Sequence, residues 1–152
     1  MRVLVWLVLM WPGVLAAQCA VPGNAAAMAG AVYAGVNAER AAAGRAALAP
    51  EARLAVAAQA QACDMAATGL RDHRGSDGSA VDERVRRAGF RTCLTAENIG
   101  WGYADAGRML AGWMASPGHR GNILNDRVSA MGVGLAQGAD GPQWVLVLAR
   151  PC

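Results

Sequence analysis

Residues 113–124 are Trp-Met-Ala-Ser-Pro-Gly-His-Arg-Gly-Asn-Ile-Leu, and this stretch does most to decide the fold. An apolar helical segment runs into it, and the Pro117-Gly118 dipeptide breaks that segment. We therefore predict a helix over residues 105–115 that ends at Ser116. His119 follows the break at once, in a polar and glycine-flanked segment. Asn122 and Asn125 are assigned to local turns.

On the N-terminal side of this stretch, apolar residues spaced four apart predict two long helices, over residues 25–43 and 51–68. Residues 70–79 are an open polar loop, and residues 82–88 form a short helix. Large and small residues alternate over 131–135, which predicts a half-buried strand. The apolar run 143–149 predicts a strand covered on both faces. Helices followed by an antiparallel strand pair indicate an α+β fold.

The composition and the small net charge argue against a nucleic-acid-binding protein. A chain of 152 residues fits one domain with one core, and its net charge is only +3. No basic stripe with interleaved aromatic residues is present, so we expect no nucleic-acid partner. The densest basic cluster includes acidic neighbours and is interpreted as a solvated helix face. It consists of Arg84, Arg86, Arg87 and Arg91.

The N-terminal segment has the pattern of a secretory signal peptide over residues 1–17. A short positive start precedes a nine-residue apolar run, and small residues follow it. That run is shorter than the roughly 20 residues of a membrane-spanning helix, so no transmembrane segment is expected. A lipid anchor on Cys19 is the less favoured alternative. We expect one domain over residues 24–152, secreted to the extracellular space or the periplasm.

Four cysteines, Cys19, Cys63, Cys93 and Cys152, predict two disulfides in a secreted chain. None of them forms a Cys-x-x-Cys pair, which removes the main support for a zinc finger or a thioredoxin-like motif. Four cysteines allow three connectivities. We favour Cys63–Cys93 together with Cys19–Cys152, the second of which would tie the chain ends together.

Three side chains are the candidates for chemistry: His73, Glu97 and His119. The chain has two histidines in all, and both lie in polar segments where loops can line a cleft. Two imidazoles with a carboxylate can hold a divalent metal or act as an acid–base set. Spacing alone favours ordinary solvated loop residues over a functional site.

A series of short motifs, in this order, adds a resemblance that covers roughly residues 28–149. The motifs are Asn-Ala-Glu-Arg (37–40), Asp-Met-Ala (64–66), His-Arg-Gly-Ser-Asp-Gly (73–78), Glu-Asn-Ile-Gly (97–100), the quoted stretch 113–124 and Gly-Val-Gly (132–134). In this order the chain resembles the bacterial branch of the CAP superfamily, the SCP-like or cysteine-rich secretory proteins.

That resemblance implies a three-layer α-β-α sandwich with a small antiparallel sheet and a cleft lined by two histidines and acidic residues. His73, Glu97 and His119 match the family's cleft positions. Ser116 stands where many eukaryotic relatives carry a second glutamate, which leaves one acidic ligand fewer. The cysteine-rich C-terminal extension of eukaryotic relatives is absent from this sequence.

Three hypotheses follow for function. The first is an extracellular domain, expected to be monomeric and without established catalysis, whose cleft binds Zn²⁺ or Mg²⁺ and a small ligand or envelope component through His73, Glu97 and His119. The second is a hydrolase of peptide or cell-wall material that uses the same three residues. The third is lipid or sterol carriage, which the resemblance implies but for which we identify no clear loop counterpart.

Overall fold

The structure is a computed structural model that describes residues 19–152. Four strands form one sheet at its centre. The elements in chain order are α1 (Ala25–Ala42), β1 (Ala49–Pro50), α2 (Ala52–Thr68), α3 (Val81–Arg87), β2 (Thr92–Trp101), α4 (Ala106–Ala115), α5 (Pro117–Ile123), β3 (Ala130–Gly138) and β4 (Gly141–Pro151). The predicted signal peptide, residues 1–17, lies outside the described residues. Within residues 19–152, no helix combines the length and hydropathy that a membrane crossing requires.

The strand order is β1-β3-β4-β2. β2, β4 and β3 are antiparallel neighbours, whereas the two-residue β1 pairs parallel with β3. The sheet is therefore mixed rather than purely antiparallel, because a short segment between α1 and α2 adds to its far edge. The α+β class is confirmed.

Each face of the sheet is covered by helices, which makes three layers. On one face, α1 and α4 pack with the large side chains of β3 and β4, among them Met131, Trp144 and Leu146. On the other face, α2 and α3 pack with Val145 and Val147. Alternate residues of one strand point to opposite faces, so β4 supplies both cores.

The strand β3 is buried on both faces, and the prediction of a half-buried strand is wrong. Its small residues contact a helix rather than solvent. A Cβ on Gly132 would lie 2.2 Å from the backbone N of Ala55, and one on Gly134 would lie 2.3 Å from the carbonyl carbon of Ala58. These glycines therefore permit α2 to pack directly on the strand.

The predicted disulfide connectivity is wrong, although all four cysteines are paired. The structure joins Cys19 to Cys63 and Cys93 to Cys152, with Cα–Cα distances of 5.4 and 4.9 Å. Antiparallel pairing of β2 with β4 places Thr92 opposite Pro151. Cys93 follows Thr92 and Cys152 follows Pro151, so the two cysteines become neighbours. Because the sulfur of Cys19 is in a disulfide, the alternative of a thioether-linked lipid on that residue is not supported.

The segment that follows α4 differs from the prediction. α4 ends at Ala115 as expected, but Pro117 begins the new helix α5 instead of a loop. Proline at the first helical position loses no hydrogen bond, because the first N–H groups of a helix have no partner within it. The break between α4 and α5 places His119 on a short helix beside β2.

Candidate functional site

The loop of residues 70–79 positions His73. Its side chain is more than half exposed, and the backbone around it is fixed by hydrogen bonds to two carboxylates. Asp72 accepts a hydrogen bond from the Arg74 N–H at 2.8 Å, and Asp64 on α2 accepts one from the Ser76 N–H at 2.7 Å. An exposed imidazole is thereby held on an ordered loop.

Glu97 is the buried acid of the site, with its side chain 2% exposed. It lies on β2 opposite Val147 and so faces the α2–α3 side of the sheet. Its Oε1 is 3.0 Å from His73 Nδ1, and its Oε2 accepts a hydrogen bond from Arg84 Nη2 at 2.7 Å. A carboxylate survives such burial only when it is paired and hydrogen bonded, and both of its oxygens are.

His119 reaches the site from α5, and two asparagines fix that helix to β2. Asn98 Nδ2 donates to the His119 carbonyl at 3.1 Å. Asn122 Nδ2 donates to the Glu97 carbonyl at 3.2 Å and to Asn98 Oδ1 at 2.9 Å. The assignment of Asn122 to a local turn is therefore wrong, since its amide joins α5 to the strand that carries Glu97. Asn125 does serve a turn, where its Oδ1 accepts from the Arg127 N–H.

His73 and His119 line one cleft of about 680 Å³. Its floor is Gly100 on β2 with Met109 and Trp113 of α4, both buried. Trp113 is held by its Nε1–H, which donates to the Ile99 carbonyl at 2.9 Å. Trp113 therefore forms part of the cleft wall, whereas the fully buried Trp144 belongs to the core.

The mouth of the cleft is aromatic and charged. Trp101 and Tyr103 also line it, and each is 37% exposed. The guanidinium of Arg71 lies over the Trp101 ring, 4.7 Å from its centroid, and forms an ion pair with Asp140. Two partly exposed aromatic side chains are therefore available to a molecule in the cleft.

The pKa values of the two histidines are shifted in opposite directions. The hydrogen bond with Glu97 raises the pKa of His73 above its ordinary value, despite partial burial. Burial of the ring lowers the pKa of His119, and the positive charge of His73 lowers it further. One cleft therefore presents an imidazole that favours protonation and a second that favours the neutral form.

The structure brings His73 and Glu97 into hydrogen-bond contact and places His119 in the same cleft as His73. Among residues 19–152, no group of three histidine, cysteine or acidic side chains is arranged to hold a metal. Both Glu97 oxygens are already bonded to protein groups. The assignment of these three residues as metal ligands or catalytic groups stays a prediction.

The assignment of Arg84 to a solvated helix face is wrong. It is 6% exposed, and its guanidinium bonds Glu97, the His73 carbonyl and the Ser79 carbonyl. Arg86 and Arg87 are exposed as predicted. Helical spacing offered the signal, because Arg84 lies three residues after Val81 and four before Ala88, on the apolar face.

Comparisons with known proteins agree with the architecture. The model of the cysteine-rich secretory protein family (CAP) matches residues 33–148. The uncharacterized protein YkwD of Bacillus subtilis is 31% identical over 101 residues, which are 66% of this chain and 39% of YkwD. This chain thus spans well under half of that relative's length.

Solved structures show the same fold. An extracellular protein containing an SCP domain from Bacillus anthracis superposes with a TM-score of 0.76 at 25% identity, over 82% of this chain and 41% of that one. An outer surface protein of Borrelia burgdorferi superposes with a TM-score of 0.73 at 18% identity, over 80% and 90% of the two chains. With the family model matching most of its length, the chain belongs to the cysteine-rich secretory protein family.

Proposed function

We propose that this protein is an extracellular domain that binds a small ligand, and a divalent metal with it, in the cleft between His73 and His119. The observation that supports this most is that the chain's two histidines line a single cleft of ligand size. Two disulfides also fit an oxidising compartment outside the cytoplasm.

The donor set suits zinc better than magnesium. His73 uses Nδ1 for its bond with Glu97, which leaves Nε2 for a metal, and metal-binding histidines are commonly oriented by such a carboxylate. The ring nitrogens of His119 make no hydrogen bond within residues 19–152. Imidazole nitrogen is a good ligand for zinc, whereas magnesium prefers oxygen. Two protein nitrogens leave the remaining positions to water or to the bound ligand.

Glu97 then acts by orienting His73 rather than as a direct ligand. Both of its oxygens would have to leave existing partners before either could bind a metal. The ligand itself would combine a polar group for the histidines with a planar or apolar part for Trp101 and Tyr103.

Calorimetric titration with zinc chloride tests the metal part of the proposal. We expect wild-type protein to bind zinc, and the double variant His73→Gln/His119→Gln to lose that binding. Asp82→Asn, an exposed carboxylate on α3, is the control and should bind as wild type does. No binding by the wild type, or equal binding by the double variant, would contradict the proposal. Fluorescent-sterol binding that ignores both histidines would favour lipid carriage instead.

The opposed pKa shifts of His73 and His119 favour hydrolysis of peptide or cell-wall material as the second candidate. Groups whose pKa values are pushed apart are typical of acid–base pairs. Neutral His119 would take a proton from the attacking water, and protonated His73, held by Glu97, would donate one to the leaving group. Release of fragments from purified peptidoglycan should stop in His119→Gln and Glu97→Gln proteins whose circular dichroism is unchanged. Undiminished release by either folded variant would exclude this mechanism.

A further inference from the structure

A second cavity of about 380 Å³ lies between α2, α3 and the loop of residues 70–79, and it is open to solvent beside exposed residues such as Val56 and Arg87. Gln61 of α2 is fully buried and Arg84 of α3 nearly so, and both line this cavity. Within the part of the chain that the structure describes, Gln61 Oε1 and Arg84 Nε are buried without a hydrogen-bond partner. Buried polar atoms are nearly always satisfied, so these two point to a bound partner.

The other atoms of the same two side chains hold the histidine loop. Gln61 Nε2 donates to the Asp72 carbonyl at 2.7 Å, directly before His73. Arg84 Nη2 donates to the His73 carbonyl at 3.1 Å and to Glu97 Oε2 at 2.7 Å. Gln61 and Arg84 therefore both hydrogen bond to the backbone at His73, and Arg84 also bonds the carboxylate that orients the His73 ring.

A glycine keeps space for polar atoms in this region. A Cβ on Gly75 would lie 2.9 Å from Asp77 Oδ1, 3.0 Å from Ser79 Oγ and 3.5 Å from Gln61 Oε1. Gly75 is itself buried. Three side-chain oxygens therefore surround the space that the Cβ of any larger residue at position 75 would occupy.

We propose that this cavity holds an internal water molecule that donates to Gln61 Oε1 and accepts from Arg84 Nε–H, and that Gln61 and Arg84 are positioning residues for His73. Water is the species that can satisfy an acceptor and a donor at once. A metal cation is disfavoured, because Arg84 and Arg87 line the cavity and an arginine N–H offers no lone pair. The two carboxylates that also line it, Asp64 and Asp77, are already bonded to Ser76 and Arg87. The functional consequence rests on the proposed role of His73, whereas the water site does not.

A high-resolution crystal structure of the full chain tests the site itself. We expect one ordered water within hydrogen-bond distance of both Gln61 Oε1 and Arg84 Nε. An empty cavity, a metal ion in that position, or direct contact between the two side chains would overturn the water site.

The positioning role is tested on His73 directly. Gln61→Met keeps a similar volume but removes the amide, and we expect it to broaden or abolish the ¹H–¹⁵N signal of His73 Nδ1–H below pH 6. The ring signals of His119 should stay in place. The affinity of the cleft for zinc should fall about 10- to 100-fold, the range for groups that orient a metal ligand. Gln137→Met, at an exposed glutamine, is the matched control.

Gly75→Ala gives a second route if Gln61→Met does not fold. The backbone of Gly75 does not have a positive φ, so alanine fills the polar space by pushing the Asp77 side chain aside, while the Gln61 bond to the Asp72 carbonyl is kept. It should displace the water and alter the same His73 signal. Unchanged His73 signals in either folded variant would overturn the positioning role. If wild-type protein binds no zinc, the metal part of the proposed function fails. The His73 Nδ1–H signal of the variants still tests whether Gln61 positions His73.

Discussion

The ion pair of Glu97 and Arg84 allows a quantitative test of how the site is built. The two side chains are 2% and 6% exposed, and their charged atoms are 2.7 Å apart. In Glu97→Gln the guanidinium of Arg84 stays buried without a counter-charge, which costs about 3–5 kcal/mol in such pairs. We expect a loss of about 3 kcal/mol, because the amide oxygen of glutamine can still accept one hydrogen bond. Arg84→Met should cost about as much, since it leaves the carboxylate of Glu97 with His73 alone.

The double variant Glu97→Gln/Arg84→Met removes both charges together. It should lose no more than either single variant, which corresponds to a coupling energy of about 3 kcal/mol. Urea unfolding followed by tryptophan fluorescence, with the disulfides intact, measures all four proteins. The exposed pair of Asp82 and Arg86 on the same helix is the control, and Asp82→Asn should cost about 0.3–0.5 kcal/mol. Additive losses, about 6 kcal/mol for the double variant, would refute the reasoning.

Three further predictions concern packing, ionisation and the disulfides. Gly134→Ala should cost about 3 kcal/mol or more in urea unfolding, because a Cβ 2.3 Å from the carbonyl carbon of Ala58 forces α2 away from the sheet. Proton resonance titration should show His73 titrating above its ordinary pKa and His119 below it, so the stabilising charge on His73 is present at low pH and is lost as pH rises through its raised pKa. Replacing the Cys19–Cys63 disulfide with two serines should cost about 4 kcal/mol in the chain-entropy estimate.

Each of these predictions has its control. Gly121→Ala, in open space on α5, should not destabilise the protein. Glu97→Gln should bring the pKa of His73 down, and an unchanged value would contradict the assigned cause. A peptide map under non-reducing conditions should recover Cys93 joined to Cys152, and a peptide joining Cys63 to Cys93 would contradict the structure.

Local patterns predicted most of the helices correctly. The apolar residues Met28, Val32 and Val36, spaced four apart, are buried on α1, and Leu54 and Met65 are buried on α2. Such patterns work because the 3.6-residue period places one face of a helix on the core whatever the partner is. β2 was missed because its sequence mixes polar and apolar residues. Its polar members are satisfied by long-range partners, such as the Glu97 bond with Arg84.

The sequence alone indicated the family, the α+β class, the burial of helix faces and three candidate side chains, of which His73 and His119 line the cleft and Glu97 is buried beside it. Tertiary structure alone decided which cysteines pair, that Arg84 is buried, and that His73 and His119 share a cavity. The physical reason is the separation along the chain of the residues that interact. Helical period and turn chemistry depend on residues only a few positions apart. Disulfide pairing and the partners of a buried charge depend on strand register and helix packing, which join residues far apart in the chain.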